Sequence, residues 1–273
     1  MIKKCTLFCC LLFVFYSFAQ KDSTIVYEID YTRVLHPPSR AGGYTSIYSL
    51  DILPQLEISI YSKKNKSSQD DVIKNDKDDD ALFYYTPKGK NTSTVFKNYI
   101  KNKLFSTASI GSKQFVIEDS LSIFNWKILK ETKVILGYSC QKATTSFRGR
   151  KYTAWFTSQL PVGGPWKFDG LPGMILEIKS KNSFIFFEAI GIRSRNVVKA
   201  IIKNPFKKEK TLSWADFKAL YKKKAIDLSK YRTSSGNEGQ IILSRMGIER
   251  YIEDNDTDYT ADKDFERERN NKN

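Results

Sequence analysis

Residues 141–157 read QKATTSFRGRKYTAWFT. Two runs carrying threonines and aromatics flank Arg148-Gly149-Arg150. In the second run Tyr152, Ala154 and Phe156 fall on one side and Thr153, Trp155 and Thr157 on the other, because strand side chains alternate. A glycine turn between two such runs is the signature of a β-hairpin. The hairpin sets the expectation for the chain: short antiparallel strands joined by tight turns.

The same chemistry extends outward. Residues 24–32, 44–50, 56–61, 82–86, 94–100, 103–109, 114–118, 126–129 and 132–136 read as strands, the last running into a tight turn at Gly137-Tyr138. Residues 174–178 and 183–192 continue the pattern. Pro37 and Pro38, after His36, cannot donate to a ladder and end their segment. Residues 63–80 are poor in apolar side chains and read as a solvated loop. One helix is expected, over 213–230. Trp214, Phe217, Tyr221, Ala225 and Leu228 recur at steps of three and four, and Ser213 with Asp216 forms a capping box. Its opposite side carries Lys218, Lys222 and Lys223. Such a helix can lie on a membrane or pack on a sheet, and the aromatic stripe suits a sheet. The fold class is α+β, mainly β: a curved, half-barrel-like antiparallel sheet with a C-terminal amphipathic helix packed on it.

The chain of 273 residues opens MIKKCTLFCCLLFVFYSFAQ. Lys3 and Lys4 precede an apolar run, and Ser17 and Ala19 supply small residues at a cleavage site, so 1–19 reads as a secretory signal peptide. The run is too short to span a membrane. Residues 20–250 form one β-rich domain, and 251–273 a polar tail expected to be disordered. With the signal go Cys5, Cys9 and Cys10; Cys140 alone remains, so no internal disulfide is possible. The net charge of +15 falls by two with Lys3 and Lys4. For a basic exported protein an anionic membrane or envelope polysaccharide is a plainer partner than nucleic acid, for which no motif is present, and the plainest reading of all is that the lysines keep the surface soluble.

The search for chemistry returns little. His36 is the only histidine, and no nucleophile elbow accompanies it. A zinc site needs more ligands than one His and one Cys. The run 76–80, DKDDD, lacks calcium-loop spacing. Cys140 reads as a buried core thiol. Glu118, Asp119, Glu131, Asp169, Glu177 and Glu188 are available for carboxylate chemistry, whose spacing is spatial. Only Asp169 has a distinctive setting, GPWKFDGLPGMILEI over 164–178. This loop is neither a phosphate loop nor a dinucleotide fingerprint, since no helix follows it. Pro172-Gly173 fits the centre of a type II turn. Gly170 is expected to let the chain pass close to a neighbour, and Asp169 to bond nearby amides. The stretch reads as a corner feeding a strand, under Trp166 and Phe168.

GYSCQKA over 137–143, Arg148-Gly149-Arg150, Ala154-Trp155-Phe156, Gly164-Pro165 and FDGLPGMI over 168–175 together resemble the GLPGLI family of Bacteroidetes envelope proteins, with Met174 where the family name has leucine. The resemblance is tight from Trp126 to Ile192, looser from Thr24, and absent from the C-terminal third. It implies an exported protein with no transferable catalytic residues. Gly170, Leu171, Pro172, Gly173, Met174 and Ile175 are its structural motif; no catalytic, cofactor-binding or metal residues are implied. The strand, hairpin and corner order is also similar to the half-barrel of lipoprotein carriers. The expected function is a non-enzymatic periplasmic or surface protein binding a lipid-like ligand or an outer-membrane partner. The alternatives are a carboxylate-based hydrolase of envelope or extracellular polymers and a structural partner of an outer-membrane receptor.

Overall fold

The computed structural model of the protein describes residues 23–36, 44–64, 94–110, 113–198, 204–229 and 248–252. The expected signal peptide, strand 82–86, acidic run 76–80 and tail from 253 lie outside them.

Arg148 and Gly149 both take positive φ, 41° and 82°, and Phe147 pairs with Arg150 across them. This is a two-residue type I′ turn, whose twist matches that of the strands it joins. Leu136 and Gly137, at 49° and 83°, repeat the device between Ile135 and Tyr138. The strands so joined are β7 (Lys127–Ile135), β8 (Tyr138–Phe147) and β9 (Arg150–Thr157). Before them come β1 (Ser23–Leu35), β2 (Tyr44–Leu53), β3 (Ile58–Lys63), β4 (Val95–Asn98), β5 (Lys103–Ile110) and β6 (Lys113–Ser120). After them come β10 (Met174–Ser180), β11 (Ile185–Val198), β12 (Thr211–Ser213) and the helix α1 (Trp214–Ser229).

The twelve strands among the described residues form one curved, unclosed sheet in the order β12-β6-β5-β4-β3-β2-β1-β11-β10-β9-β8-β7. The chain meanders from β1 out to β6, crosses to the far edge at β7, and returns to β11. There β1 and β11 pair antiparallel from Ser23↔Val198 to Leu35↔Ile185 and weld the two halves. The protein is mainly β with one described helix, as the alternation implied.

Two details differ from the strand reading. The runs expected at 126–129 and 132–136 merge into a single strand, β7, which leaves out Trp126 and Leu136 and whose register slips between Ile128 and Thr132. The Gln141 amide donates to the Leu129 carbonyl at 2.8 Å within this bulge. The three-residue β12 pairs in parallel with β6. It is too short to show a period.

One face of the sheet carries most of the core, while on the other Ile60, Phe96 and Val116 bury under Phe206. Ile29, Tyr31, Tyr48, Leu50, Ile52 and Tyr61 from β1–β3 meet Tyr152, Ala154, Phe156, Ile178 and Phe187 from β9–β11. The 158–173 connection folds back over this inner face. Phe168 sits with its ring centroid 4.9 Å from Tyr152, 5.5 Å from Phe124 and 5.9 Å from Phe187. Phe217, Tyr221 and Ala225 of α1 bury against Ile110, Ile117 and Ile252 at the β5–β6 end. The Ser213 hydroxyl accepts from the Asp216 amide at 3.1 Å, which caps the helix.

Candidate functional site

The corner that the sequence marks is built by close approach. The Gly173 amide donates to the Leu171 carbonyl at 2.8 Å, a three-residue turn about Pro172, tighter than the expected type II turn. Gly173 has φ +152°, and a Cβ there would lie 2.0 Å from the Thr157 carbonyl oxygen. A Cβ at Gly164 would meet the Phe168 carbonyl oxygen at 2.8 Å. Gly170, in contrast, has only Trp126 atoms beyond 3.8 Å nearby, so its glycine serves φ +86° and not close passage. Leu171, Met174 and Ile175 are buried and Pro172 is exposed.

Inside the corner lies a charge that the sequence did not announce. Lys97 on β4 is fully buried, and its ammonium donates to Gly164 O at 3.0 Å, Phe168 O at 2.7 Å and Asp169 Oδ2 at 2.8 Å. All three N–H donors are thus placed. Asp169, 3 % exposed, also accepts from the Tyr99 hydroxyl at 2.9 Å and, through Oδ1, from the Gly170 amide at 2.8 Å. Trp126 Nε1 holds the Asp169 carbonyl at 2.7 Å. Burial pushes the Lys97 amine down, and the Asp169 charge resists. Burial pushes the Tyr99 phenol well up. The expected turn bond of Asp169 is present, but the lysine is its main partner.

A second buried group ties the loop to the C-terminal segment. Lys167 donates to Glu249 Oε1 at 2.9 Å and Oε2 at 2.8 Å. Arg148, from the hairpin turn, bonds Glu249 and reaches Asp119 Oδ1 at 2.7 Å. Its guanidinium lies 3.7 Å over the Trp214 ring, a cation–π contact that joins α1 to the network.

The outer face holds a third cluster. Glu28 on β1 stands directly opposite Asp51 on β2. Lys64 reaches Glu28 at 2.9 Å and Asp30 at 2.5 Å; Arg193 reaches them at 2.6 and 2.8 Å; Arg195 reaches Asp51 at 3.7 Å. Burial pushes the Glu28 carboxyl up, but hydrogen bonds from Lys64 and Arg193 outweigh it and hold it at about 2. Burial, with the Glu28 charge added, lifts Asp51 to about 6.

The carboxylates read from sequence are therefore scattered rather than gathered. Glu118 pairs with Lys103, Glu131 with Lys142, Glu177 with Lys133, Asp119 with Arg148, and Asp169 with Lys97. Glu188 lies opposite Glu177 and is exposed. Cys140 is buried, and burial raises its thiol. Among the described residues, no group of three or more His, Cys, Asp or Glu side chains could hold a metal, and no helix is long and apolar enough to cross a membrane. Sequence reading missed Lys97, Lys167, Glu28, Asp51 and Glu249. Alternation on β1 and β2 could have flagged Glu28 and Asp51; nothing local marks the others.

No curated protein matches this chain. Two crystal structures of PNGF-II, in space groups P21 and C2, are similar at 20 % and 21 % identity, with TM-scores of 0.45 and 0.43. They cover 73 % and 74 % of this chain, which spans 34 % and 33 % of theirs, about a third of their length. Residues 57–223, more than half of the chain, match the family model described as N-glycanase peptide, N-terminal domain, and the chain belongs to that family.

Proposed function

We propose that the chain is an exported, non-catalytic binding module of a glycan-processing system at the cell envelope or outside the cell. The observation that carries this reading is the burial of residues 163–169 within the 158–173 loop. Its one distinctive acid, Asp169, is 3 % exposed and committed to Lys97, Tyr99 and the Gly170 amide. A carboxylate held so reaches no substrate proton. The loop and α1 occupy the inner face, so the reading favours a partner on the outer face over a lipid-like ligand in the concavity. That face presents Trp155, with Lys133 at 4.7 Å over its ring, and, farther along the sheet, the Arg193 and Lys64 cluster. The family supports a glycan-related role, and the GLPGLI-like motifs and the 1–19 leader pattern support export to the periplasm or surface. An outer-membrane protein is a second partner class of the same kind.

Calorimetric titration of the chain with an N-glycopeptide and its deglycosylated form tests the reading. Saturable binding to the glycosylated form alone, without release of free glycan, is expected. Equal heats with both peptides, or released glycan, would contradict it.

One observation favours a hydrolase instead. Glu28 and Asp51 stand opposite each other with values pushed apart to about 2 and about 6, the division that separates a base from an acid. Hydrolysis of an envelope polysaccharide that disappears in Asp51→Asn would support that reading; no turnover by the wild type would end it.

A further inference from the structure

A buried lysine with two carboxylates invites a different question from a buried lysine with one. Lys97 has three acceptors for three protons and a single acid, so its ammonium is complete. Lys167 is arranged otherwise. Glu249 takes both of its hydrogen bonds. A second acid, Asp119, holds Oδ2 at 3.7 Å from the Lys167 amine, where that oxygen accepts no hydrogen bond although it is buried. The other Asp119 oxygen is fixed by Arg148 at 2.7 Å. The side chains of Lys167, Glu249 and Asp119 are 2 %, 3 % and 7 % exposed, and Trp166 and Trp214 stand at 5.2 and 5.3 Å from the amine.

We propose that Lys167 and Asp119 condense to an intramolecular isopeptide bond, with Glu249 as the proton carrier. The step balances without an oxidant or reductant. The Lys167 ammonium gives a proton through Glu249 to Asp119 Oδ2, leaving a neutral amine and a neutral acid. Nζ attacks Cγ, and the charge developing on Oδ1 meets the Arg148 guanidinium already bonded there. The Cγ–Oδ2 bond breaks. Of the three ammonium protons, one stays on the amide nitrogen and two leave with Oδ2 as water. Net charge is zero before and after. Burial lowers the amine's proton affinity and, with the Arg148 charge, outweighs the Glu249 and Asp119 charges that raise it. Holding amine and acid together at this range supplies the proximity that makes such a step unimolecular. Loss of Oδ2 also removes a buried acceptor that has no donor. The bond would fasten the 158–173 loop to the end of β6, a covalent staple for a protein whose only described cysteine is Cys140.

Mass spectrometry of the denatured full chain decides. The wild type should weigh one water molecule less than its sequence, and its digest should contain a branched peptide joining Asp119 to Lys167. Lys167→Arg and Glu249→Gln should show the full mass and no branched peptide, with Glu249→Gln still giving the far-ultraviolet dichroism of the sheet. Full mass in the folded wild type would overturn the proposal. So would a water deficit that persists in Lys167→Arg.

Discussion

At Gly173 the backbone passes so close to Thr157 that no side chain fits, and the φ is one that L residues rarely hold. Gly173→Val should therefore cost about 2–6 kcal/mol, from strain and overpacking together. Gly170→Ala meets only the strain, about 1–2 kcal/mol. Thermal melts of the two variants give the order, and equal melting would refute the close-approach explanation. Asp169 behaves unlike a turn residue. Turn chemistry alone would let asparagine replace it at small cost, but its Oδ2 answers the buried Lys97 ammonium. Removing one partner of a buried ion pair costs about 3–5 kcal/mol, a large part of a total of about 5–15 kcal/mol. Asp169→Asn and Lys97→Met should each lower the urea midpoint sharply, and the double variant by less than the sum. Additive losses would mean that the two residues act independently.

At the scale of elements, legibility follows the range of the interaction. Hairpins β7–β8 and β8–β9 were readable because a glycine at positive φ and alternating flanks are local facts. The capped helix was readable for the same reason, since Ser213 and Asp216 are neighbours. Lys97 was not, because its acid lies across the fold on a loop, and Val95-Phe96-Lys97-Asn98 gives no sign which lysine turns inward. Glu249 and Asp119 converge on Arg148 only once the hairpin turn has brought that side chain between distant segments. The β1–β2 pair carries a pH signature. Asp51 has a folded value of about 6, above its ordinary 3.8, so the bound proton adds stability that is complete below 3.8 and lost as pH rises through 6. Glu28, at about 2 against 4.5, contributes stability present above 4.5 and lost as pH falls toward 2. The wild type should thus gain stability relative to Asp51→Asn as pH falls from 7 to 5. Urea denaturation of both proteins at the two pH values reads this difference; parallel changes would show that Asp51 is not the titrating group.

Across the whole molecule, the sheet is curved around material supplied by its own chain. The 158–173 loop fills the middle of the inner face, α1 fills one end, and the buried side chains of Lys97 and Lys167 fix the loop from two sides. The motif that stands out most in the sequence is then part of the core and not an exposed reactive loop. Native-state hydrogen exchange over 163–175 tests this claim most directly, since the amides of Gly163, Phe168, Gly170, Gly173 and Ile175 are all hydrogen-bonded. They should exchange as slowly as β9 and β10, opening only with global unfolding. Exchange as fast as that of an exposed loop, while the flanking strands stay protected, would contradict the account.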